Sequence, residues 1–219
     1  MQWSILFQNL DVLLQGLLVT IEVSALALAL ALSVGVLVGV LRVSPSRPLR
    51  LLGTVYVEFL RNVPLLVLIF FIFFALPSVD SRLRLSGFWS GVIGLGLYTG
   101  AYVAEVIRSG IGAVPRGQME AGLASGLGYV QTMRLIVLPQ AVRNTVPPLG
   151  NQTINLIKNS SLVATVSVFD ILGTANLIGD RTFAYVEALI GAGVLYLVLT
   201  IPAAFVVNAM ERRLRTAYR

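Results

Sequence analysis

Charge-free apolar runs too long for the core of a water-soluble domain recur along this chain. Val23 to Leu41 holds no charged residue for 19 positions, which as a helix reaches about 28 Å against a hydrocarbon core of about 30 Å. Asn62–Val79, Leu85–Ala104 and Ala188–Met210 repeat the pattern, and Asn144–Phe169 repeats it with Lys158 as its one charge. Lipid offers no hydrogen bonds to an open backbone, so runs of this length become helices. The expectation is an all-α membrane protein with five transmembrane helices at about 12–41, 55–78, 86–107, 145–170 and 185–210, in one membrane domain over 1–219. A composition of 57% hydrophobic and 12% charged residues, with mean hydropathy +0.87, fits a bilayer as solvent.

The excess of 16 Lys and Arg over 10 Asp and Glu first suggests an acidic partner, and its placement argues otherwise. Five spans put the termini on opposite sides. Arg42, Arg47, Arg50, Arg108, Arg116, Arg134, Arg143, Arg212, Arg213, Arg215 and Arg219 then share one side, against Arg82, Arg84 and Arg181 on the other. The positive-inside bias makes the first side cytoplasmic, with the N-terminus outside and the C-terminus in the cytoplasm. That asymmetry accounts for the basic balance without nucleic acid. The chain has no Cys and no His, which removes thiolate and imidazole metal sites and histidine general-base catalysis. The first residues carry no basic n-region, so they read as a retained interfacial helix with Trp3 and Phe7 at the headgroups.

Polar residues near the spans carry two readings each. Glu22 falls at the outer rim of the first span rather than its centre, unless the helix runs deeper than the charge-free count. Glu58 and Arg61 stand three apart, which suits a local ion pair or a gate at the pathway. Glu105 and Arg108 form a second such pair with a structural role. Lys158, followed by Asn159, Ser160 and Ser161, lies near the middle of the fourth span. A lysine at that depth faces a cavity, a carboxylate or a ligand, or snorkels from a shallower helix. Pro147, Pro148 and Gly150 weaken the first turns of the same span.

Between the third and fourth spans, residues 109–143 are too polar to cross. Gln118–Leu127 is rich in helix formers, with Glu120 near the start where a carboxylate suits the positive helix end. Gly126 and Gly128 allow a turn with positive φ. Tyr129–Val137 forms an amphipathic second helix, which Pro139 ends. This cytoplasmic helix-turn-helix is an interfacial anchor or a knob for a partner's groove.

The spacing within that stretch resembles the EAA loop of ATP-binding-cassette importer permeases: Glu-Ala-Ala, three residues, Gly, nine residues, Ile, one residue, Leu-Pro. Glu120, Ala121, Gly122, Gly126, Ile136, Leu138 and Pro139 occupy those places, with Gly122 where the pattern has a second Ala. YVEFLRNVPLLV (56–67), LPQAVRNTVPPLGNQ (138–152) and LIKNSSL (156–162) resemble the histidine, glutamine and glutamate permease branch. The resemblance implies the type I importer permease fold and a place in the bacterial plasma membrane. It implies as partners a second permease subunit, identical or not, two ATPases docked on the EAA loops, and an external amino-acid-binding protein. It implies no catalytic site or cofactor in this chain, ATP and Mg being held by the ATPases. The chain also lacks a Gly-rich phosphate loop. An Asn at 159, where relatives often carry Asp, leaves Lys158 without an adjacent counter-charge and favours glutamate, aspartate or glutamine as cargo. Glu22, Glu58 and Arg61 join Lys158–Ser161 as pathway candidates. An ion-coupled secondary transporter or a channel is the alternative that composition alone allows. A membrane enzyme would need paired catalytic groups, and the carboxylates are scattered.

Overall fold

A computed structural model describes residues 3–216, and no strand occurs among them. Nine helices follow in order, with a short 3₁₀ turn at Ser81–Leu83 between the fourth and fifth: α1 (Ser4–Gln8), α2 (Leu10–Val43), α3 (Arg47–Asn62), α4 (Leu65–Val79), α5 (Gly87–Gly112), α6 (Arg116–Ala124), α7 (Tyr129–Val166), α8 (Ile171–Thr182) and α9 (Tyr185–Thr216). Arg219, assigned to the cytoplasmic side by its sequence, lies outside the described residues.

Among the described residues only α2, α5 and α9 are long and apolar enough to cross a membrane singly. α3 with α4 and α7 with α8 qualify as bent pairs, at 103° and 46°. The expected second span, 55–78, is therefore not one helix. Pro64 has no N–H and its ring disfavours helical backbone at the residue before it. Val63 is accordingly extended, at φ −92 and ψ 132. α2 is also longer than expected at 34 residues. Glu22 lies four to five residues from its midpoint, or about 7 Å along the axis. Its side chain is exposed.

The frame is the packing of α2 on α5. Gly16, Thr20, Ser24, Ala27, Ala31, Gly35 and Gly39 form a buried stripe along α2 at the three- and four-residue spacing of one helix face. Small residues let two backbones approach where lipid supplies no hydrophobic drive. A Cβ at Gly35 would stand 2.4 Å from Val103 Cγ1 and 2.9 Å from the Gly100 carbonyl, and one at Gly96 2.6 Å from Leu30 Cδ2. A core of Val23 and Ala27 (α2), Ile69 (α4), Leu95 (α5), and Leu156 and Val163 (α7) joins four helices. At one end Arg42 adds a polar clamp. Its guanidinium donates to the Glu105 carboxylate of α5, which also accepts from Arg108 Nε at 3.2 Å. The expected Glu105–Arg108 pair is thus half of a three-residue network.

Helix α8 lies in a segment that hydropathy leaves blank. The chain breaks at Ser167, left-handed at φ 62, and restarts under a side-chain cap. Asp170 accepts from the Gly173 N–H and from the Tyr196 hydroxyl, both at 2.8 Å. Thr20 of α2 accepts from the Ile171 N–H at 3.0 Å. A helix end buried within the protein needs such partners for its open N–H groups.

Gly35→Leu should overpack the α2–α5 seam by about 2–3 kcal/mol, read as a midpoint lower by roughly 5–10 °C in thermal unfolding of the purified chain in detergent. Val36→Leu, at a position 51% exposed, should leave that midpoint within about 2 °C.

Candidate functional site

Two features bring polar chemistry together: the turn between α6 and α7, and a cavity between α5 and α7. At the turn, α6 closes in a left-handed cap. Gly126 has φ +84, its N–H donates to the Leu123 carbonyl at 3.1 Å, and the Leu127 N–H donates to the Gly122 carbonyl at 3.2 Å. This pair of bonds is the Schellman arrangement, which favours glycine at the left-handed position. Gly128 does not share that conformation. Its φ is −69, and its N–H donates to Gln131 Oε1 at 2.9 Å as the chain enters α7. The helix-turn-helix expected over this stretch is present, with one left-handed glycine rather than two.

Gly122 explains its own departure from the EAA pattern. It is buried, and a Cβ there would lie 2.4 Å from Thr132 Cγ2 and 3.0 Å from Ile136 Cδ1. An alanine would push α6 off α7. Gln140 Nε2 donates to Gln118 Oε1 at 3.3 Å beside this contact. Gly122, Gly126 and Ile136 therefore hold the turn together, while Glu120 and Ala121 are exposed. Leu123, Tyr129 and Val130 add exposed apolar surface around them. Glu120 is the fifth residue of α6, beyond the first turn where the helix dipole acts, so that expected role falls away.

Pro139 does not end the second helix. Residues Met133–Val137 form a π turn, after which helix continues from Leu138 to Asn159. Proline leaves the carbonyl four residues earlier without its donor and clashes with it. A widened turn absorbs both effects. The same device precedes Pro77, where Phe71–Ala75 is a π turn. Pro147, Pro148 and Gly150 thus lie inside a continuous α7, and a Cβ at Gly150 would meet Val207 of α9 at 2.5 Å. One helical path runs from the turn to Lys158.

Lys158 and Asn159 line a cavity of about 420 Å³ with Tyr98, Thr99 and Tyr102 of α5 and Gln152 and Asn155 of α7. The Tyr98 and Tyr102 hydroxyls are 3.1 Å apart. Arg61 lies over the Tyr102 ring at 5.2 Å from its centroid, a cation–π contact. Among the described residues no ion pair joins it to Glu58, so the expected local pair is absent. No carboxylate appears among the lining residues. Ser160 and Ser161 stand apart from the cavity. Both begin a 3₁₀ stretch, and their hydroxyls donate to the carbonyls of Ile157 at 2.8 Å and Lys158 at 2.9 Å. Glu22 and Glu58 do not line the cavity either. Sequence reading passed over Tyr98, Thr99, Tyr102, Gln152 and Asn155. Their signal is polar residues on one helix face, at 98/102 and at 152/155/159, within apolar runs.

Residues 31–216 match the family described as the binding-protein-dependent transport system inner membrane component. A probable glutamine ABC transporter permease protein of Bacillus subtilis (strain 168) is 45% identical over 218 residues, 100% of each chain. An arginine transport system permease protein of the same organism is 32% identical over 216 residues, 99% of this chain and 98% of the relative. A crystal structure of an amino acid ABC transporter with histidines matches at TM-score 0.92 and 30% identity, covering 97% of this chain and 99% of that chain.

Gly122→Leu should lift α6 from Thr132 and Ile136 while leaving the spans folded. Limited proteolysis of membrane vesicles should then cut between Ala124 and Gly128 about tenfold faster, the change expected for about 1.4 kcal/mol of lost packing. An unchanged rate would show that Gly122 does not hold the turn.

Proposed function

The chain belongs to the binding-protein-dependent transport family of inner membrane components, and on that premise we propose how its turn and its cavity divide the work of import. It is a membrane-spanning subunit of an ATP-binding-cassette importer for polar amino acids. Such a subunit works with a separate ATPase, a substrate-binding protein and, in general, a second permease. In our reading two ATPases hold the ATP and Mg, this chain catalyses nothing, and the turn side faces the cytoplasm with the N-terminus outside.

The observation that carries the reading is the continuity of α7. The exposed Glu120–Ala121 surface of α6 is the dock for the ATPase. Gly122, Thr132 and Gln140 fasten α6 to the start of α7. Lys158 lies nineteen residues beyond Pro139 on that same helix, about 29 Å away. A push on α6 as the ATPases close then moves the Lys158 wall of the cavity, rocking the spans between inward and outward states. Leu138 and Pro139 belong to the joint between the two.

Cargo follows from the cavity's charge. The relatives' names include glutamine, arginine and glutamate/aspartate permeases, so this chain's own residues must decide. Lys158 lines the cavity, Arg61 stacks on one of its tyrosines, and no carboxylate lines it. That surface accepts a carboxylate and repels a second cation. Glutamine, glutamate or aspartate suits it better than arginine, with Asn159, Gln152 and Asn155 offering amide contacts. Ser160 and Ser161 shape the backbone beneath Lys158.

The test is uptake into proteoliposomes carrying the chain with its ATPase and binding protein. Uptake should require ATP and the ATPase, and should be competed by glutamine or glutamate and not by arginine. Lys158→Gln should lower it about tenfold or more, as for a lost charge-assisted hydrogen bond. Uptake driven by an ion gradient without the ATPase would support a secondary transporter instead, and arginine competition would reverse the cargo assignment.

A further inference from the structure

Helix α7 has a second face. Opposite the polar cavity, Val146, Leu149, Gly150 and Thr153 form one wall of an apolar groove whose other walls are Leu32 of α2 and Val206 and Met210 of α9. The groove holds about 450 Å³. At Thr153 it meets a second apolar hollow of about 360 Å³.

The ends of the two walls share a pattern. On α7 the groove face recurs at 146, 149, 150 and 153, and one turn earlier on that face stands Arg143. On α9 it recurs at 203, 206, 207 and 210, and one turn further stands Arg213. Both arginines are exposed. They mark the end of the groove nearest the α6–α7 turn, where Arg212 and one acid, Glu211, also lie. The pattern is apolar for several turns and cationic on both walls at one mouth.

We propose that this groove seats an anionic phospholipid of the cytoplasmic leaflet, its acyl chain between α7 and α9 and its phosphate between Arg143 and Arg213. The assignment rests on the reading that residues 109–143 face the cytoplasm. Charge complementarity selects the headgroup, since basic sites beside spans on that side draw anionic lipid. Size selects the chain. Val146 to Ile154 is about 12 Å of helix. Spread along that length, 450 Å³ has a mean cross-section of roughly 38 Å², half the roughly 80 Å² of a helix with its side chains. That width suits a methylene chain lying along the groove. Because α7 also carries Lys158 on its other face, the lipid braces the helix that lines the polar cavity.

Lipid retention by the full-length chain, purified in mild detergent and read by native mass spectrometry, tests this without ATPase or uptake, so it stands or falls apart from the import reading. Added phosphatidylglycerol should be held about tenfold or more tighter than phosphatidylcholine. Arg143→Gln with Arg213→Gln should erase that preference, and the paired Lys substitutions should keep it. Ala203→Phe, which fills the groove, should lower retention of both lipids. Equal retention of the two lipids by the parent chain, or an undiminished preference in the Gln pair, would overturn the proposal. So would loss of pairing between copies in Ala203→Phe with lipid retention intact, which would mark the groove as a protein interface.

Discussion

A proline that fails to stop a helix makes the rest of the arrangement possible. Pro139 removes a backbone donor and intrudes on the preceding turn, and in an ordinary α-helix it would kink or end the rod. The π turn at Met133–Val137 takes up the disturbance. The helix that starts at the exposed turn therefore continues to Asn159. Everything proposed about coupling depends on that continuity. Were α7 broken at Pro139, α6 could move without moving Lys158.

A lever also needs a frame that does not yield. The small-residue stripe of α2 supplies one, meeting α5 at Gly35 and Gly39 and α8 at Gly16 and Thr20, with side chains too short to swing. Arg42 reinforces it at the end nearest the turn. Its stem fills the space beside Gly53 of α3, where a Cβ would meet Cγ at 2.8 Å, and its guanidinium reaches Glu105. A side chain 9% exposed in such a pair is costly to strand, because an unpartnered buried charge destabilises by several kcal/mol. α5 leads within a few residues into α6, so the frame and the lever meet at this network. On the far side, the Asp170 and Thr20 caps hold the break before α8.

The sequence displays one part of this well and another poorly. Long charge-free runs and the spacing from Glu120 to Pro139 are local signals, and they disclosed the helices, the turn and the family. The bend at Pro64 was also local, yet hydropathy averages over it, so two helices read as one span. Pro139 misled for the opposite reason: the compensating π turn is an adjustment of backbone geometry that residue types do not announce. The cavity is a tertiary fact. Lys158 and Asn159 stood out because they are polar in an apolar run. Tyr98 and Tyr102 did not, since tyrosine is unremarkable at a membrane interface. Ser160 and Ser161 looked like site residues by adjacency alone, and their hydroxyls donate to the carbonyls of Ile157 and Lys158 on their own helix. Arg61 paired with an aromatic ring on another helix, which spacing along α3 could not reveal.

The central claim is that α6 and the Lys158 wall move as one body. Spin labels at Ala121 and Asn159 in the assembled importer, with a second experiment pairing Asn159 across two permeases where the second is a copy of this chain, measure this by pulsed dipolar spectroscopy. On ATP binding the Ala121–Asn159 distance should hold within about 2 Å while the Asn159–Asn159 distance shifts by several ångströms, as in a rigid-body transition. A changed Ala121–Asn159 distance with a static Asn159 pair would contradict the account, because the push would then be dissipated at the joint around Pro139.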